Sequence, residues 1–148
     1  MNRTSVLAAL EAHLLQSLER AQSQVASLQE SLTSESKSTA GDKHETGRAM
    51  IQQALEQAVL AQNRASENLV GFRKITAGSP SQVVAPGSLV YTTKGWFFTG
   101  MALGKVPVAE RHVFGVSLAS PVGQALKGAA AGDLVPFQAE KIEVLEVQ

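Results

Sequence analysis

The chain holds no proline before residue 71 and all five of its prolines after it, and this asymmetry decides most of what it can fold into. Proline lacks an amide hydrogen and breaks helix interiors, so a long stretch without it is free to run as helix. Glycine follows the same divide. Gly41 and Gly47 alone precede residue 71, while ten of the twelve glycines lie from residue 71 on and every aromatic lies beyond it. A helical half therefore precedes a strand-and-turn half.

Within the first half, Leu7, Leu10, Leu14, Leu18, Ala21, Val25, Leu28 and Leu32 are spaced 3, 4, 4, 3, 4, 3 and 4 apart. That interval draws one narrow apolar seam along a long helix. A thinner seam runs through Ile51, Leu55, Ala58, Gln62, Ala65 and Leu69. Neither stripe is wide enough to be buried alone. Packed on each other they make an antiparallel coiled-coil α-hairpin over residues 1–70, with its tip near 38–46. Roughly 28 helical residues at about 1.5 Å each give an arm on the order of 40 Å long.

Residues 71–81 read as a linker, part of the loop-like stretch Ile75 to Ser88, and 82–148 as a globular domain. The strand-like runs are SLVYTT and GWFFTGMAL around Lys94-Gly95, then RHVFGVSL after a loop, and finally DLVPF and KIEVLEV. Between them Ser120 before Pro121 predicts a helix cap with proline in the first turn, Ala125 and Leu126 a buried face, and Gly128 a stop. The fold class is α+β: a mostly antiparallel sheet with one short helix, preceded by the hairpin.

Thirteen basic and thirteen acidic residues cancel, so no global field draws the chain to nucleic acid or to a membrane. With no cysteine there is no disulfide, thiol chemistry or Cys-ligated zinc. The start places Arg3 before an apolar run, but Glu11, His13, Glu19 and Arg20 interrupt it, and no small-residue cleavage site follows. No stretch reaches the roughly 20 apolar residues of a membrane span. A cytoplasmic protein is expected.

The candidate site is Gly41-Asp42-Lys43-His44-Glu45. An Asp followed three residues later by a Glu at a helix start is a capping-box pattern, in which Asp42 accepts from the Glu45 N–H and Glu45 reaches back. Location points elsewhere. Two carboxylates on an exposed protrusion can complete a Mg²⁺ shell on a partner that supplies the remaining oxygens. The roles are compatible. His44 is most simply solvated, and Lys37, Lys43 and Arg48 balance Glu35, Asp42 and Glu45. In GWFFTG, Phe97 points opposite to Trp96 and Phe98; the simplest reading packs all three into a small domain's core, the alternative keeps one side as core and leaves the other as a contact surface. Nothing forms a Ser/His/Asp or Cys/His set, and GQALKGAAAG lacks the preceding strand and acidic partner of a dinucleotide fingerprint.

Two stretches together resemble the Gre family of bacterial transcript-cleavage (elongation) factors, GreA and GreB. The family's tip carries G-D-x-x-E, onto which Gly41, Asp42 and Glu45 fall. The segment SPVGQALKGAAAGDLVPF, residues 120 to 137, resembles the S-P-[IVL]-[AG]-x-A-L-x-G-x-x-x-G-D of the family's C-terminal domain. It matches at Ser120, Pro121, Ala125, Leu126, Gly128, Gly132 and Asp133.

The resemblance implies a coiled-coil hairpin and an FKBP-like C-terminal domain. It implies docking on RNA polymerase near its secondary channel, with the hairpin passing inward. Asp42 and Glu45 would then help to hold the second Mg²⁺ and to activate water against backtracked RNA. The factor would have no cofactor of its own, Mg²⁺ being supplied in the polymerase active centre. It would touch nascent RNA only within that complex, act as a monomer, and stimulate the polymerase's nuclease rather than be an enzyme itself. Beyond the acid pair the family continues E-N-A-E-Y, whereas this chain reads Glu45-Thr46-Gly47-Arg48-Ala49. That departure leaves open a channel-binding regulator without cleavage. A reading of another class is an FKBP-like protein-binding module with a dimerising arm, which needs a pocket opened by Tyr91, Trp96 and Phe98.

Overall fold

The computed structural model describes residues 1–36 and 41–148. In chain order the elements are α1 (Arg3–Ser36), α2 (Gly41–Thr76), β1 (Leu89–Thr92), β2 (Gly95–Thr99), β3 (Gly104–Val108), β4 (Arg111–Val116), α3 (Pro121–Leu126), β5 (Leu134–Phe137) and β6 (Glu140–Val147). Two compact units result. One is Leu14–Leu69; the other joins Met1–His13 to Val70–Gln148.

In the first unit the predicted seams are the covered ones. From Leu14 to Leu32, Leu14, Leu18, Ala21, Val25, Leu28 and Leu32 are buried or half-buried, joined only by Ser17. From Arg48 to Leu69 on α2 the covered residues are Ile51, Leu55, Ala58, Gln62, Ala65 and Leu69. The best-buried positions are Leu14, Val25, Ala58 and Leu69. Eleven residues separate Leu14 from Val25 going up α1, and eleven separate Ala58 from Leu69 coming back along α2. Eleven residues are about three helical turns, so the best-buried positions recur at the same interval on both helices, as an antiparallel hairpin requires. The end of α1 meets the start of α2 in a shallow cleft lined by Leu32, Glu45, Arg48, Ala49 and Gln52.

The second unit is a six-stranded sheet in the order β3-β4-β2-β1-β6-β5. Every neighbouring pair is antiparallel except β2 and β4, which run parallel with Phe97 beside Phe114 and Phe98 beside Gly115. On one face Val90, Phe97, Val135, Ile142 and Val144 cluster with Val84, Ala129 and Leu126 of α3. On the other, the ring of Phe72 in the last turns of α2 lies 5.4 Å from that of Phe98. Val6 and Leu10 of α1 are buried in the same unit, at 1% and 0% exposure. Burying one such side chain is worth about 1.5–3 kcal/mol.

Of the two readings of the aromatic run, packing of all three holds: Trp96, Phe97 and Phe98 are 4%, 8% and 0% exposed, because α3 and the helix bases cover opposite faces of β2. Two expectations are corrected. The stretch between β2 and β4, read as a loop, contains strand β3. Pro107 within it argues against a central strand, and β3 is indeed an edge. Finally, α2 runs on to Thr76, through the first six residues of the segment read as linker.

The other edge strand, β5, also carries a central proline, Pro136, opposite Lys141. Pro107 stands opposite His112. A proline fits an edge only where its missing N–H would have faced outward.

Candidate functional site

α1 ends at Ser36 and α2 opens at Gly41, so Asp42 and Glu45 are the second and fifth residues of α2. Both stand at the end of the hairpin unit remote from Leu14 and Leu69, where the chain enters and leaves it. The 23 residues from Leu14 to Ser36 span about 34 Å at helical rise. The first N–H groups of a helix lack intrahelical partners and carry the positive end of its dipole, so carboxylates are favoured there. Beginning α2 at Gly41 puts Asp42 inside that zone rather than ahead of it.

Glu45 is exposed and lines the cleft with Leu32, Arg48, Ala49 and Gln52. The side chains of Asp42, Lys43 and His44, and Lys37 altogether, lie outside the described residues. Among the described residues no group of three or more His, Cys, Asp or Glu side chains gathers as a metal site. A pair of carboxylates is a partial donor set. Mg²⁺ takes six oxygens, commonly one or two from carboxylates and the rest from phosphate and water.

The segment from Ser120 to Asp133 turns out to be architecture. Ser120 Oγ accepts from Gly123 N at 3.1 Å and donates to Ser117 O at 2.6 Å, capping α3 as the sequence predicts. Gly123 allows the helix to sit against the preceding loop, since a Cβ there would stand 2.0 Å from Ser117 O. Asp133 Oδ2 accepts from Ala130 N at 2.8 Å, closing the turn in which Gly128 and Gly132 take φ of 78 and 94. Ser120, Gly128, Gly132 and Asp133 thus shape the body.

The pocket required by an FKBP-like binding module is closed at the residues proposed for it. Trp96 and Phe98 are buried, and Tyr91 stacks on Trp96 at 4.5 Å.

Sequence reasoning missed a polar cluster in the second unit. The Gln148 side chain meets Met1 and Arg3, and Arg3 Nη2 donates to Gly87 O at 3.0 Å. Asn2 caps α1, its Oδ1 accepting from Thr4 N at 2.7 Å. Its residue type before an apolar-periodic run was a readable signal. Gln148 had none.

No family model matches the chain, and no curated protein matches it. Solved structures similar to it include the two that follow. One is that of the GreA factor homolog 1 (Gfh1) protein of Thermus thermophilus, 21% identical, covering 93% of this chain and 94% of that one at a TM-score of 0.34. The other is that of the transcription factor Gfh1, 21% identical, covering 94% of this chain and 93% of that one at a TM-score of 0.36.

Proposed function

We propose that the chain is an RNA polymerase-binding transcription elongation factor of the Gre type, whose hairpin end enters the polymerase's secondary channel and lends Asp42 and Glu45 to a Mg²⁺ of the active centre. The observation that carries this reading is the position of the two acids. They open the second helix of a narrow two-helix unit, at the end opposite its chain connections. The match of Gly41, Asp42 and Glu45 to the family's tip supports it.

Asp42 and Glu45 would help to hold the ion, which would supply an activated water for hydrolysis of the backtracked RNA. The water oxygen would bond to phosphorus as the P–O3′ bond breaks, its proton would end on O3′, and the short 3′ fragment would leave with a 5′-phosphate. The factor's own contribution is to place two negative ligands where the ion's charge is incompletely met.

A second reading rests on Arg48. It is exposed beside Glu45 in the same cleft, where the family's run would bring its second acid. A cation there opposes recruitment of a further Mg²⁺, so the chain would occupy the channel and regulate without cutting.

Stalled, backtracked elongation complexes separate the two. Under the first reading the wild type releases 3′ RNA fragments, while Asp42→Asn and Glu45→Gln bind the polymerase but lose at least about tenfold in rate, as expected when a charge-stabilising group is removed. Under the second, all three bind, none releases fragments, and nucleotide addition is altered. No retention on polymerase overturns both.

A further inference from the structure

We propose that the Gln148 side chain is a latch for α1, completing the N-terminal cap of a helix that starts 145 residues earlier, so that its loss frees the first turns of α1 and leaves the sheet closed. This inference is independent of the polymerase reading.

A helix start leaves four N–H groups without intrahelical partners. Here Asn2 takes the one on Thr4 through its side chain, and Asn2 O takes that of Val6 at 3.0 Å as the first helical bond. The N–H of Arg3 is accepted by Gln148 Oε1 at 3.0 Å. Gln148 Nε2 donates to Met1 O at 3.0 Å and to Glu146 Oε1 at 2.9 Å. The orientation of this amide is dictated. Its oxygen must face an N–H and its nitrogen a carbonyl, and reversing it would set donor on donor and acceptor on acceptor.

The latch hangs from a rigid support. Gln148 N donates to Leu89 O at 2.8 Å and Leu89 N to Gln148 O at 2.9 Å, beside a fully buried Leu89. Arg3 Nη2 donates to Gly87 O, two residues before Leu89. The head of α1 is thus fastened on both sides of the entry to β1. Met1 O lies ahead of the helix and draws its donor from Gln148. Behind this polar head, Val6 and Leu10 supply an apolar anchor. The two anchors act on different turns, and the polar one governs the first.

Amide hydrogen exchange on the full chain tests this. In Gln148→Ala, exchange at Arg3, Val6 and Leu7 rises by about tenfold, the effect of one lost hydrogen bond on a local opening, while Phe98 and Val144 exchange as before. Gln148→Glu keeps an acceptor for Arg3 N but cannot donate to Met1 O, and gives a smaller rise at the same amides. Unchanged exchange at Arg3, Val6 and Leu7 in the Ala variant overturns the proposal, because Val6 and Leu10 would then suffice. An equal rise at Phe98 and Val144 also overturns it, because the opening would then be global.

Discussion

Ala109 and Gln138 adopt left-handed backbone, with φ of 54 and 56, as the first residues of the two-residue loops joining β3 to β4 and β5 to β6. A side chain in that region costs about 1–2 kcal/mol, and tight hairpins favour glycine there. Ala109→Gly and Gln138→Gly are each expected to stabilise the protein by about 0.5–1 kcal/mol after the entropy that glycine loses on folding, read as a higher urea midpoint at unchanged slope. Gly87 stands on the opposite side of this rule. It has φ of 87, and a Cβ there would come within 2.2 Å of Ile75 O. Single residues were legible in the sequence where their chemistry is local. Ser120 declared itself through Pro121 and Gly128 through its place after the buried Ala125 and Leu126, whereas Gly132 and Asp133 stood out only through the resemblance to the Gre segment. Gln148 was illegible because its partners, Met1 and Arg3, are brought to it only by the completed fold.

For the helices, the seam decides which apolar residues matter. Leu14 is 4% exposed and Leu60 is 47% exposed, although both are leucines on long helices. Leu14→Ala is expected to cost about 2–5 kcal/mol and Leu60→Ala under about 0.5 kcal/mol, measured by thermal or urea unfolding. The hairpin was readable because a spacing between 3 and 4 leaves few alternatives over this length, and even Gln62 in the α2 seam falls on the covered side. The strands were less so. β3 hid behind Pro107, and the parallel pairing of β2 with β4 joins strands that are not consecutive in the chain. The burial of Trp96, Phe97 and Phe98 alike was the simpler expectation and holds because the sheet is covered on both faces near β2, where alternation alone would have left one face wet. Of the candidate site, the acid pair and its place at the head of α2 were legible, since a glycine, two carboxylates and a polar break precede a new apolar period.

At the scale of the molecule, the two units are built to different densities. The described part of the hairpin unit buries Leu14, Val25, Ala58 and Leu69, whereas the sheet has buried side chains on both faces around Phe97 and Phe98. Amides between Leu14 and Leu69 are therefore expected to exchange through openings smaller than global unfolding, and those of Phe97, Phe98 and Val144 only near the global limit. Uniform protection across both would contradict it. The net charge of zero leaves little long-range repulsion to keep copies apart, and this gives the prolines of the two rim strands a second meaning. Pro107 and Pro136 leave each rim of the sheet with a gap in the row of hydrogens that a foreign strand would need. Crowded copies of a protein with an open-edged sheet and no net charge risk growing into fibres one strand at a time; the sheet of this one is blunted at both rims.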